Sequence, residues 1–432
     1  MNTSSSLLSP KEVHTIVAQC VGTANVEVLD VTETTLDNES GGFMSDYVIF
    51  KIEVRLSDGT NKTYQFFSKT LPSSIQHREY VKEVQCYDKE IGYYQNLLPI
   101  LLKHQNNEAS HDDSRVKGRW GPHCFLTRGD MVVMEDLSVL GYKVCNYREL
   151  LDWQHCAATL KKLASFHAAS VIFEEKESEQ RGQETRIGDL HPECFSSVID
   201  RSMPGQENVG WFPCGVRAMI DLVPHLTKYQ HDKGLQKTIQ ENLSSALKQL
   251  SLLSRSEKFR NVVCHGDLWA SNILFRYGHD KRPESVRLID YQILRYAPPA
   301  TDIVVFLFTT TNREFRKRHV NNLLKVYYEE FSWELQNNGL SANELLSFEE
   351  LQRSFEFYLG AGRATAAMYY EMILMDTETK QSLFASAEKY ARFFSINRSA
   401  EVLECFRKDE IYRCRVQESI DEVIETDILH EK

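Results

Sequence analysis

The chain has 432 residues, 42% hydrophobic and 26% charged, enough apolar material for one large domain or two modest ones. Its 50 Lys plus Arg against 61 Asp plus Glu leave a net charge of −11, which works against nucleic-acid or anionic-membrane binding. The near-continuous apolar runs reach six residues, Leu97–Leu102 and Ile303–Phe308, far short of the roughly 20 that span a bilayer.

Met1–Ser9 has neither the basic start nor the apolar stretch of a secretory leader, and the ten cysteines are scattered with no CxxC. Free thiols and a cytoplasmic setting are expected. Ser9, Pro10 and Glu12 spell a helix start that should run to about Gly22. Three strands are expected at Asn25–Val31, Tyr47–Leu56 and Thr63–Thr70, where β-branched and aromatic residues partly alternate between turn residues. A helix from about His77 to Leu98 should close at Pro99. Cys124–Thr127 and Met131–Met134 read as two more strands.

Beyond Leu137 the pattern turns helical. Trp153–Ala169 carries Cys156, Leu160, Leu163 and His167 on one stripe, and the charged run Glu174–Arg186 reads as an exposed loop. Further helices are expected at Leu235–Leu253, Asn321–Gln336, Phe348–Met368 and Lys380–Ile396. A small β-rich part followed by a large helical part predicts an α+β molecule of two lobes with a cleft between them.

The chemistry concentrates in Val262–Phe275, where His265-Gly266-Asp267 and Asn272 lie between two apolar runs. Asp267 and Asn272 are five residues apart, the spacing of the kinase catalytic loop, and Asp290 follows 18 residues later at the end of an apolar strand. Phosphoryl transfer from ATP uses such a set: one carboxylate to accept the hydroxyl proton, an amide oxygen and a second carboxylate to hold Mg²⁺. Taken singly, the motif is a loop, Lys69 a solvated strand-end charge and Glu90 a helix-surface acid. Their order is more telling: Lys69 ends the third strand, and Glu90 lies 21 residues on in the next helix, where it would pair with Lys69. Met134-Glu135-Asp136-Leu137 falls where the two parts meet; there the Glu135 carbonyl and Leu137 amide would read adenine. Ser40, Gly41 and Gly42 between the first strands are candidates to cover phosphates with backbone N–H groups, or form a plain hairpin turn.

These residues resemble the insect ecdysteroid kinase-like family, which is similar to choline kinases and aminoglycoside phosphotransferases and shares the protein-kinase-like bilobal fold. The resemblance runs from about Val26 to Ile396 and is sharpest in His265–Phe275 and Asp290-Tyr291-Gln292. It implies an N-lobe of residues 1–137, a C-lobe of 138–432, and ATP-dependent phosphorylation of a hydroxyl on a small molecule, an ecdysteroid or another sterol or xenobiotic alcohol. Asp267 would be the catalytic carboxylate, Asn272 and Asp290 the Mg²⁺ ligands, Lys69 the phosphate lysine and Glu90 its partner. An amino-alcohol kinase acting on choline or ethanolamine is one alternative. A nucleotide-binding pseudokinase is another. A metallophosphatase built on His265 and Asp267 lacks further clustered ligands.

Gln292 stands where protein kinases carry a flexible glycine, and only twelve residues separate Asp290 from Asp302. That leaves little room for an activation segment, so a small acceptor is favoured; a monomer is expected. His265 and Asp302 read as braces of the catalytic loop, His167 as a core histidine, and Cys264 as unremarkable. Trp269, Tyr369, Tyr370 and Phe393 line either an acceptor pocket or simply the core. Six of the acids and one lysine fall in Glu418–Lys432, so the net acidity is partly terminal.

Overall fold

Ser9 and Glu12 close a reciprocal capping box on helix α1 (Pro10–Val21): Glu12 N–H donates to Ser9 Oγ at 3.3 Å, and Ser9 N–H to Glu12 Oε2 at 2.8 Å. The computed structural model describes residues 6–36, 45–72, 78–79, 81–82, 86–104, 120–195, 210–384 and 386–430. Within it β1 (Glu27–Leu36), β2 (Asp46–Arg55), β3 (Asn61–Thr70), β4 (Cys124–Arg128) and β5 (Met131–Glu135) form one antiparallel sheet in the order β1-β2-β3-β5-β4. Strand alternation divides its residues between two faces. Val48, Phe50, Ile52, Val54, Phe66, Met131 and Val133 pack on Val13, Ile16 and Val17 of α1. The register sets Tyr47 beside Lys69, Lys69 beside Val132, and Phe67 beside Met134 on the other face.

That second face meets helix α2 (Cys86–Gly92) and the continuous core of the helical lobe. The chain does not stop at Pro99. A wide turn, Tyr93–Leu97, in which Leu98 N–H reaches back five residues to Tyr93 O, carries it into a further helical segment, Leu98–Leu102. The wider turn accommodates a residue that has no N–H and crowds the preceding turn. The part of the expected helix before Cys86 lies largely outside the described residues.

Strand β6 (Lys143–Val144) precedes helix α3, which runs from Trp153 to Arg181. The helix therefore continues through much of the segment expected as an exposed loop. Glu174 is fully buried, held by Arg260 at 2.8 Å, Tyr296 Oη at 2.7 Å and Ile187 N–H at 3.0 Å. Glu177 is buried between Lys103 at 2.6 Å and His104 at 2.8 Å, and its carboxylate is lowered to about 2, chiefly by those hydrogen bonds. Partners distant in sequence turn a polar run into interior structure.

After α4 (Trp211–Leu222) and α5 (Lys233–Leu247) come four short strands: β7 (Val262–Cys264), β8 (Ile273–Tyr277), β9 (Pro283–Leu288) and β10 (Arg295–Ala297). Helix α6 (Pro299–Thr310) is buried along its whole length and packs on α8 (Phe348–Ile373), while α7 (Arg313–Asn337) packs on α3. The helix expected over Lys380–Ile396 is two, Thr377–Phe384 and Ala387–Ser395. Three of the terminal acids are tied in, on and beyond α9 (Glu410–Val423): Arg316 pairs with Glu422, Arg313 with Glu425, and Arg363 with Asp427 at 2.6 Å. No helix among the described residues is long and apolar enough to cross a membrane. A small antiparallel lobe against a large helical one gives the bilobal α+β architecture of protein kinases.

Candidate active site

The β8–β9 hairpin explains why residues 272 and 290 belong together. Ile273 pairs with Leu288, and Ile289 N–H donates to the Asn272 carbonyl at 3.0 Å, so the residues flanking the two strands lie side by side. Asp290 occupies the left-handed region, φ 71°, a costly conformation for a residue with a side chain. The chain turns there and sends the carboxylate toward the sheet. Asn272 Nδ2 donates to the Asp267 carbonyl at 2.8 Å and to its Oδ2 at 3.1 Å, which leaves the amide oxygen of Asn272 as the atom it offers a cation.

Lys69 joins the lobes. Its Nζ donates to Glu90 Oε2 at 2.8 Å and to Asp290 Oδ1 at 2.7 Å, with the lysine 5% exposed and Glu90 fully buried. Burial alone would lower the ammonium, but Asp290 and Glu90 hold it raised. Burial raises Glu90, opposed by Lys69. Gln292 Nε2 also reaches Glu90, at 3.4 Å.

The loop between β7 and β8 is held from beneath by Asp302 on α6. Its carboxylate accepts His265 N–H at 2.6 Å, Gly266 N–H at 2.8 Å and His167 Nε2–H at 3.0 Å. Gly266 has φ 80°, and a Cβ there would fall on the Ile293 carbonyl, so the position between His265 and Asp267 admits no side chain. His265 donates Nε2–H to the Ile289 carbonyl at 2.9 Å, and burial lowers its imidazole, keeping it neutral. Thus His265 joins the loop to the strand end that carries Asp290. Tyr291 stacks on Tyr93 at 3.9 Å and is fully buried, anchoring that strand end in the core. His167 is fully buried, as expected of a core histidine, yet it also orients Asp302.

Asp267 is half-buried at the cleft. Burial, then the neighbouring Asp290, push its carboxyl up to about 7, against hydrogen bonds from Tyr369 and Asn272. A carboxyl poised near neutrality suits proton acceptance. Glu90 and Asp290 share the Lys69 ammonium, and Asp290 in turn acts on Asp267, a concentration of carboxylates on hard oxygen donors that fits Mg²⁺.

Tyr47, Phe67, Val132 and Met134 line the cleft side of the sheet above these groups; Tyr47 stacks obliquely on Phe67 at 5.4 Å. Tyr47 was not singled out in the sequence, although its register position opposite Lys69 follows once the hairpin is drawn. At the junction, Gln65 Nε2 donates to Asp136 Oδ2 at 2.6 Å, and Asp136 Oδ1 accepts Ser138 N–H at 2.9 Å. The Leu137 carbonyl is taken by the Leu140 and Tyr142 N–H groups, whereas its own N–H has no partner among the described residues. Glu135 sits at the end of β5, its N–H donated to the His123 carbonyl at 2.8 Å. Ser40, Gly41 and Gly42 lie outside the described residues.

Two aromatic pairs include a neighbour of Asp267 in space or in sequence. Tyr369 on α8 hydrogen-bonds the Asp267 carboxylate and meets Trp211 edge-on at 6.0 Å. Trp269 meets Tyr147 edge-on at 6.5 Å. Tyr370 instead donates its hydroxyl to the Phe308 carbonyl at 2.9 Å, and Phe393 is 1% exposed; both are core. Helical spacing alone does not tell Tyr369 from Tyr370, because one position of rotation decides which faces the cleft.

The model of the ecdysteroid kinase-like family matches residues 40–340. No curated protein matches the chain. The matched span takes in the sheet from β2 onward, Lys69, Glu90, the junction at Leu137, the catalytic-type loop and Asp302, while Tyr369 lies beyond it. With the cleft groups and part of each lobe inside the match, the chain belongs to the ecdysteroid kinase-like family and is a kinase-like phosphotransferase.

Proposed function

We propose that the protein transfers the γ-phosphoryl group of ATP to a hydroxyl of a neutral, ring-bearing small molecule such as an ecdysteroid, another sterol or a xenobiotic alcohol. The observation that carries this reading is Lys69 held between Glu90 and Asp290, with Asp267 and Asn272 hydrogen-bonded beside them. Residues 1–137 and 138–432 are taken as the two lobes of one kinase unit. Adenine would lie under Phe67 and Met134, read by the Glu135 carbonyl and the Leu137 N–H. Lys69 would hold the phosphates and Glu90 would hold Lys69. When bound through oxygens of Asn272 and Asp290, Mg²⁺ supplies charge neutralisation on the transferring phosphoryl group. Asp267 accepts the acceptor's hydroxyl proton as its oxygen attacks in line, and Asn272 fixes the carboxylate that does so.

A neutral acceptor is favoured over choline or ethanolamine because basic side chains of the protein already lie against two of the paired aromatic rings and burial there disfavours added positive charge. Lys380 lies over the Tyr147 ring at 3.9 Å, where burial lowers it to about 7, and Arg398 lies 5.8 Å from the Trp211 ring. An ammonium-bearing substrate would compete with them for the same ring faces.

The test is phosphate-ester formation from ATP over a panel of sterols, plant phenolics and amino alcohols. Transfer to a neutral alcohol is expected, abolished when EDTA removes the metal. Mg-dependent ATP binding with no transfer to any acceptor would instead favour a nucleotide-binding module. Tyr369→Phe removes only the hydroxyl that reaches Asp267. It should lower kcat about tenfold, the worth of one hydrogen bond to a charged group, and leave KM for ATP unchanged. Steady-state kinetics with both substrates varied reads that split; an unchanged kcat would remove Tyr369 from the acceptor side.

A further inference from the structure

Away from the cleft, Cys145 follows β6 and lies against the distal end of β8 in a cluster with Asp152, His155 and Tyr277. Asp152 caps α3, and its Oδ1 accepts two hydrogens from one residue: the His155 backbone N–H at 3.0 Å and the ring Nδ1–H at 2.6 Å. The same carboxylate oxygen that starts the helix therefore fixes the imidazole's orientation and tautomer. His155 Nε2 is thereby turned to the Tyr277 hydroxyl at 3.1 Å, with the ring held edge-on to Phe275 at 4.9 Å. The Cys145 sulfur lies 3.3 Å from that hydroxyl and also hydrogen-bonds the imidazole. Those bonds, to Cys145 first and Asp152 next, raise the His155 imidazole to about 9 despite its partial burial.

Nucleophile, imidazole and orienting carboxylate stand here in the relation that activates a thiol in covalent chemistry. The phosphotransfer reading has no use for them. Cys145 is partly exposed, so a small reagent can reach it. Two hydrogen-bonding groups next to the sulfur suit a reagent whose departing atom is an oxygen that must be protonated.

We infer that Cys145 is an oxidation site for hydroperoxides, converted to the sulfenic acid independently of phosphotransfer. The sulfur attacks one peroxide oxygen; the S–O bond forms as the O–O bond breaks. Sulfur gives up two electrons to the peroxide, and the departing hydroxide takes up the thiol's proton, relayed by His155 Nε2, to leave as water (or as an alcohol, from an alkyl hydroperoxide).

Treatment of the full chain with hydrogen peroxide in the presence of dimedone, followed by mass spectrometry of each cysteine peptide, tests the assignment. Cys20 and Cys414 are more exposed and serve as internal references. Cys145 is expected to label about tenfold faster than either. His155→Asn and Asp152→Asn should each slow Cys145 to the rate of the references without changing theirs. Asp152→Asn keeps an oxygen for the His155 N–H, so the helix cap survives. Equal rates at the three cysteines would overturn the proposal, as would a fast Cys145 that both variants leave untouched. Buried Cys156 and Cys264 report folding: a variant in which they also label has unfolded, and the other variant then decides.

Discussion

Asp267→Asn is expected to lower turnover about 10³-fold while leaving ATP affinity within a factor of about three, because only proton acceptance is lost. The substitution is close to isosteric. Asn272 Nδ2 keeps both of its acceptors, the backbone carbonyl of residue 267 and a side-chain oxygen, which in the native site lie at 2.8 and 3.1 Å. Lys69, Glu90 and Asp290 are untouched, so the groups assigned to the phosphates and metal stay in place. What disappears is a carboxylate whose surroundings bring it to about 7, poised to take a proton at neutral pH. Turnover with the best alcohol and nucleotide binding by calorimetry, measured side by side, separate the two effects. Full activity in the variant would show that another group takes the proton. An equal loss of ATP affinity would move Asp267 from the transition state to ground-state binding.

How much of this was legible in the sequence depended on how local each feature is. The capping box of α1 is written within four residues and is as expected, and the sheet strands follow from alternation, although β1 runs five residues past its expected end at Val31. The pairing of Asn272 with Asp290 is nearly local, because a hairpin of 18 residues brings its two ends together. Lys69 and Glu90 were found through order along the chain, and their contact is consistent with that order. Features that depend on distant partners were not legible. Glu174 looks like part of a solvated charge run, and only Arg260, Tyr296 and the Ile187 amide make it a buried acid. Pro99 looks like a helix stop, and only the widened turn before it lets the chain continue. Tyr369 needed the rotation of α8 about its axis, and the Cys145 cluster needed the packing of α3 on β8. Neither leaves a mark on spacing.

Asp302→Asn is the second large effect expected, and it acts without touching substrate. Asp302 is 1% exposed, and three hydrogen-bond donors converge on it: two consecutive loop amides and the His167 imidazole. An ionised carboxylate accepts all three, whereas an asparagine turns an NH₂ toward at least one and leaves that donor facing a donor. Breaking a buried, charge-assisted network of this kind should cost about 3 kcal/mol of stability. Burial alone would raise Asp302, but the hydrogen bonds led by His167 hold it lowered. Its stabilising contribution is therefore present above the ordinary carboxylate range and lost as pH falls through the lowered folded value. The variant should lack that acid-side loss and be weaker at neutral pH. Because His265 and Gly266 set the position of Asp267, a loosened loop should also lower turnover about 100-fold with ATP affinity retained. Denaturant midpoints from pH 3 to 8, together with kinetics at neutral pH, measure both. Wild-type stability across that range would mean the loop is held by its glycine geometry and the His265–Ile289 bond rather than by Asp302.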